Sequence, residues 1–170
     1  VIISTDLLTK SKQAFDDGYY EESVRLAEEL KHDYERYKET SEFISSIESE
    51  IDEIRSSGVK IPKSAELIEQ AKAELKKNNL EKARELAEEA KKIALERKSE
   101  YESAFKSISE AEFAIEKARA FCDTSEAEEL LNRARAEFEE GNYAKSISDA
   151  RKSEEIAWEI RAKSKPEIEV

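Results

Sequence analysis

Helix breakers are nearly missing from this chain. Three glycines and two prolines in 170 residues leave too little punctuation for a strand-and-turn architecture and favour long helices. Cysteine occurs once, at Cys122. No disulfide can therefore close within the chain, and a small packing role beside Phe121 is expected. Histidine also occurs once, at His32. It follows Glu28 by one helical turn and lies off the apolar stripe, so a solvated position is expected. Methionine is absent, so Val1 is not a translational start, and the chain is expected to be a piece of a longer or processed protein. No apolar run approaches the roughly eighteen residues of a membrane span, and no signal peptide or lipidation motif is present. A soluble segment is expected, with no direct membrane insertion and the cytoplasm slightly favoured.

What is abundant is charge. Charged residues make up 41% of the chain and the net charge is −12. A field of that sign opposes nucleic acid and anionic lipid. The distribution is uneven. Residues 20–59 carry twelve acids and five bases, whereas residues 60–98 carry eleven bases and eight acids. The basic stretch includes Lys76, Lys77 and Lys82, and is expected to be a solvated, ion-paired helix face rather than a contact for an acidic partner. Mean hydropathy is −0.79, which disorder would also produce. The apolar residues are periodic, however, and a disordered tail has no need of that.

A short signature recurs three times. It reads Ala14-Phe15-Asp16-Asp17-Gly18-Tyr19-Tyr20, then Glu74-Leu75-Lys76-Lys77-Asn78-Asn79-Leu80, then Glu137-Phe138-Glu139-Glu140-Gly141-Asn142-Tyr143. Tyr20, Leu80 and Tyr143 are equivalent, and the period is about sixty residues. Each copy ends one helix, turns at Gly or Asn, and starts another. The spacing predicts a first helix over Asp6–Asp16, capped from Ser4-Thr5-Asp6, and a second from near Tyr19 to Ser56. A third is expected over Ala65–Lys77 with Ser64 as its cap, after Pro62 has barred continuation of the second.

The fourth helix is the clearest object. Leu80, Ala83, Ala87, Ala90, Ala94, Arg97, Tyr101, Ala104, Ile108, Ala111, Ile115 and Ala118 keep a three–four rhythm in which only Arg97 is charged. Ser125 to Glu128 reads as a capping box opening a fifth helix that ends at Gly141. A sixth begins near Tyr143 and fades before Pro166. Short helices alternate with long ones, and a short helix covers only part of a long neighbour. The expected fold is therefore all-α: elongated tandem three-helix bundles sharing long continuous helices. Residues 1–37 form a hairpin that is an incomplete repeat. Residues 38–97 and 98–163 form three-helix bundles, and residues 164–170 form a tail. Arg97 falls at the hand-over between bundles, where its guanidinium can snorkel.

A continuous helix shared by successive three-helix bundles resembles the spectrin-repeat architecture over roughly residues 38–163. The turns also resemble those of tetratricopeptide repeats, in which a bulky residue, Gly, an aromatic and a small residue pack two antiparallel helices. Phe15, Gly18, Tyr20 and Ser23 fit that pattern, as do Phe138, Gly141, Tyr143 and Ser146. The first resemblance implies a structural spacer, and the second implies peptide or protein binding.

Catalytic constellations are missing: no HExxH, no phosphate-cradling Gly-rich loop, no GxSxG and no cysteine cluster. The paired acids Asp16-Asp17, Glu28-Glu29, Glu88-Glu89 and Glu139-Glu140 are expected on turns and exposed faces, not in a pocket that separates their pKa values. No enzyme activity, cofactor or metal is expected. Tyr20, Tyr34, Tyr37, Tyr101 and Tyr143 fall on apolar faces and are expected in cores, with their hydroxyls at the rim. Because the first hairpin has no third helix within the chain, Tyr19, Val24, Tyr34 and Tyr37 are the candidate protein contacts. The expected function is a non-catalytic spacer or scaffold segment, with a protein partner, other domains of the parent chain, or a second copy as homodimer. The alternative is a peptide- or protein-binding helical-repeat module.

Overall fold

A computed structural model describes residues 5–164. Among these, all regular structure is helical, in the order α1 Thr5–Asp16, α2 Tyr20–Ser56, α3 Pro62–Lys76, α4 Leu80–Arg119, α5 Ser125–Glu140 and α6 Tyr143–Lys163. The expected cap at Ser4 and the tail from Lys165 lie outside the described residues. The chain divides into two compact units, one ending at Leu95 and the other starting at Glu96. Helix α4 passes through Arg97 without interruption.

The three signatures fold alike because each solves the same backbone problem. A helix must stop and reverse within two or three residues, and the residue that does so needs a left-handed conformation. Gly18, Asn78 and Gly141 occupy that position, with φ of +81°, +64° and +85°. The peptide N–H after each one reaches back to the last turn of the preceding helix. Tyr19 donates to the Ala14 carbonyl (2.8 Å), Asn79 to Glu74 (2.9 Å) and Asn142 to Glu137 (2.8 Å). Glycine bears a positive φ without strain, and asparagine tolerates it better than other side-chain-bearing residues.

Each pair of helices then meets at a position kept small on both sides. In the first copy Ser11 faces Ser23, and each hydroxyl donates to the other residue's carbonyl (2.9 and 2.8 Å). In the second copy the equivalent residues are Ala71 and Ala83, both fully buried. In the third they are Ala134 and Ser146, with Ser146 Oγ donating to the Ala134 carbonyl at 2.7 Å. Larger side chains would push the helix backbones apart.

In the first unit the core is built from Ile44, Ile47, Ile51 and Ile54 of α2, Leu67, Ile68 and Leu75 of α3, and Ala83, Ala87, Ala90 and Ala94 of α4. A fully buried aliphatic side chain contributes about 1.5–3 kcal/mol. Ion pairs flank this core: Lys72 with Glu48 at 2.5 Å, and Lys91 with Glu50 at 2.8 Å. The Arg84 guanidinium sits 4.7 Å from the centre of the Phe43 ring. In the second unit Ile108, Ala111, Ala114, Ile115 and Ala118 of α4 pack with Ala127, Leu131 and Ala134 of α5 and with Ala150 and Ala157 of α6. Cys122, Phe138, Ile156 and Trp158 close the margins of this cluster. The Cys122 thiol also donates to the Ala118 carbonyl at 3.1 Å.

Several local expectations need correction. Ser64 does not cap α3. The helix starts two residues earlier at Pro62, whose fixed φ and missing N–H suit a first helical position. Ser64 instead lies buried with its hydroxyl unpaired. Ser125 does not form a capping box with Glu128. Asp123 Oδ1 accepts from both the Ser125 N–H (3.0 Å) and its hydroxyl (2.5 Å), and Glu128 accepts from Thr124 Oγ1 (2.7 Å). A carboxylate is the stronger acceptor and displaces the serine hydroxyl from the capping role. Arg97 does not simply snorkel. Its guanidinium donates to the Gly141 carbonyl at 2.6 Å and lies 4.5 Å from the centre of the Tyr143 ring.

Candidate docking surface

The surface left open by the first hairpin is defined by comparing the three copies position by position. Leu8, Phe15, Tyr20, Ala27 and Tyr34 lie along one side of α1 and α2, and all five are exposed. Their equivalents in the second copy are Ile68, Leu75, Leu80, Ala87 and Ala94. In the third they are Leu131, Phe138, Tyr143, Ala150 and Ala157. All of these are buried or half-buried. The contrast is largest at the aromatic of the turn, where Tyr20 is 61% exposed and Tyr143 is 1% exposed. It recurs one helix earlier, where Leu8 is 56% exposed and Leu131 5%. Residue type is nearly constant, so the difference comes from what lies over the face. In the third copy α4 lies there, with Tyr101 and Phe105 against Phe138 (ring centres 4.8 and 6.5 Å apart).

The four sequence-derived contact residues are not a single patch. Tyr19, Val24 and Tyr34 are exposed and Tyr37 is half-buried. Tyr34 shares the open side with Ala27 and lines a groove of about 370 Å³ with Leu8 and Leu30. Val24 lies at the edge of that side, one turn after Tyr20. Tyr19 is on the turn itself, and Tyr37 lies toward the side of Leu26. Tyr20 and Tyr34 correct the expectation of tyrosines in cores, because no third helix among the described residues covers them. Phe15, Tyr20, Leu8 and Ala27 belong to the surface but are not singled out by periodicity, which marks an apolar face without saying whether it is covered. Aligning the three copies on their turns finds them.

The turns differ in polarity as well. Glu74 and Glu137 are equivalent, and each accepts from the asparagine that precedes the next helix: Asn79 Nδ2 at 2.6 Å and Asn142 Nδ2 at 2.7 Å. Asn79 and then Lys77 hold the Glu74 carboxyl below its ordinary value of 4.5. Lys145 and then Asn142 do the same for Glu137. In the first copy the corresponding residues are Ala14 and Tyr19, so this polar lock is missing and an exposed ring stands in its place.

Little else on the surface suggests chemistry. His32 is exposed, as are all four pairs of adjacent acids. Lys76, Lys77 and Lys82 are exposed too, and Lys77 pairs with Glu74 at 2.9 Å. Among the described residues no group of three or more His, Cys, Asp or Glu is placed to hold a metal ion. No helix among them is long and apolar enough to cross a membrane. The chain matches no family model, no curated protein and no solved structure.

Proposed function

We propose that this chain is a non-catalytic spacer or scaffold segment of a larger protein, built of tandem three-helix bundles that share long helices in the manner of spectrin repeats. One observation carries the reading. Helix α4 is unbroken through Arg97, and its apolar stripe is buried on both sides of that residue, at Ala83, Ala87, Ala90 and Ala94 and again at Ala104, Ala111, Ala114 and Ala118. A helix used this way resists bending, because a bend would break its ladder of hydrogen bonds. Forty residues at about 1.5 Å each make it roughly 60 Å long.

Small-angle scattering tests the proposal. A radius of gyration well above the ~15 Å of a compact domain of this length supports a spacer. A globule-like profile overturns it. The second reading, a peptide- or protein-binding repeat module, is favoured by the open face of the first hairpin.

A further inference from the structure

The third copy of the repeat displays how its turn is read by a helix. Arg97, Tyr101 and Phe105 are spaced one turn apart on α4. Arg97 donates to the Gly141 carbonyl and lies over the Tyr143 ring, at 2.6 Å and 4.5 Å respectively. Tyr101 packs on Phe138 and Tyr143, with ring centres 4.8 and 5.6 Å apart. Phe105 completes the contact against Phe138. The first copy offers the same receiving surface. Phe15 and Tyr20 hold their rings 5.4 Å apart, against 5.6 Å for Phe138 and Tyr143. Gly18 takes the backbone conformation of Gly141. What differs is cover: Gly141 is buried, whereas Gly18 is exposed and has nothing within 4 Å of where a Cβ would stand. In the second copy Asp33 and Arg36 of α2 stand beside the turn, lining an open pocket with Asn78, Asn79 and Leu80.

We propose that the first hairpin docks an amphipathic helix of a partner protein, one that carries arginine followed by aromatic residues four and eight positions later. The arginine would donate to the Gly18 carbonyl and stack on Tyr20, and the aromatics would cover Phe15 and Tyr20. Charge supports the arginine. Asp16, Asp17, Glu21 and Glu22 ring the turn, and the nearby cation Arg25 is already tied to Glu22 at 2.6 Å. The apolar strip continues through Leu8 and Ala27. It departs from the other copies at Tyr34, where both have alanine, so the docked helix is expected to be short, about three turns from the Gly18 end. A second copy of this chain is a poor occupant, because its own Arg97, Tyr101 and Phe105 are engaged on its own third repeat. The proposal is independent of the spacer reading, which scattering decides separately.

The probe is a stapled, fluorescein-labelled peptide of residues 95–106, titrated into the full chain and followed by anisotropy. Saturable binding is expected, about tenfold weaker with Phe15→Ala or Tyr20→Ala in the chain. A similar loss is expected with Arg97→Ala in the peptide. Both chain positions are exposed, and an unchanged circular dichroism melt verifies that the variants fold. Absence of saturable binding overturns the proposal, as does binding indifferent to Phe15 and Tyr20. So does a dimer in light scattering that Tyr20→Ala dissolves, since the second copy would then be the occupant.

Discussion

Ser11 and Ser23 exchange hydrogen bonds across the first hairpin, each hydroxyl donating to the other's main-chain carbonyl (2.9 and 2.8 Å), with the two oxygens 3.3 Å apart. The second copy has alanine at both equivalent positions, so the hydroxyls are dispensable while the size is not. Ser23→Ala is expected to cost about 0.5–1.5 kcal/mol, the net worth of one buried hydrogen bond. The doubly substituted Ser11→Ala, Ser23→Ala chain loses both bonds, so its cost should be close to the sum of the two single variants. Ser23→Leu should cost more than both alanines together, because overpacking forces the helices apart. Thermal melts by circular dichroism measure all four. A leucine variant as stable as the alanine variant would refute the size argument.

Ser64 presents the opposite case. Its hydroxyl is buried without a partner, and an unpaired buried hydroxyl is a standing cost. Ser64→Ala should leave stability unchanged or raise it by up to about 1 kcal/mol. A clear drop in melting temperature would mean that the hydroxyl has a partner after all.

Arg97 joins α4 to the third turn through one hydrogen bond and one ring contact, and pairs with Glu100 at 2.6 Å. Arg97→Ala should destabilise the second unit by about 1–3 kcal/mol. Arg97→Lys should recover only part of this, because an ammonium cannot stack as a planar guanidinium does. Trp158 is the only tryptophan and lies in this unit, so its fluorescence during urea unfolding reads the effect directly. Full recovery by lysine would show that charge alone matters there.

Acidification should weaken the fold. Lys145 and Asn142 hold Glu137 below 4.5, and Thr124 and Arg119 do so for Glu128. Arg133 holds Asp149 below its ordinary 3.8 through a two-pronged contact at 2.7 and 2.9 Å. A carboxyl whose pKa is lower folded than unfolded contributes stability above its unfolded value and loses it as pH falls toward the folded one. The melting temperature is therefore expected to drop as pH falls below about 4.5. The drop should be shallower in Glu137→Gln, which has no proton to take up. A melting temperature that rises between pH 5 and 3, or an identical slope in the variant, would contradict this.

Much of the helical layout is legible from sequence because its causes are local. The periodicity of α4 from Leu80 to Ala118 depends on spacing along one helix, and the turns at Gly18, Asn78 and Gly141 depend on one residue's freedom to adopt a positive φ. Cap positions are harder to read. Asp123 outcompeted Ser125 by charge, and Pro62 started α3 before Ser64 could cap it. Both outcomes turn on competition between neighbouring groups that a short pattern does not rank.

The amino-acid order alone therefore determined that this chain is helical, where its helices reverse, and which side of each is apolar. Only the tertiary structure decided which apolar sides are covered. Tyr20 and Tyr143 sit in nearly the same local sequence, yet one is open and the other buried. Burial depends on whether a further helix lies across the face, and in the third repeat the residues of that helix that cover the turn, Arg97 to Phe105, lie some forty residues upstream of it. Packing between segments so far apart leaves no trace in the spacing around either tyrosine.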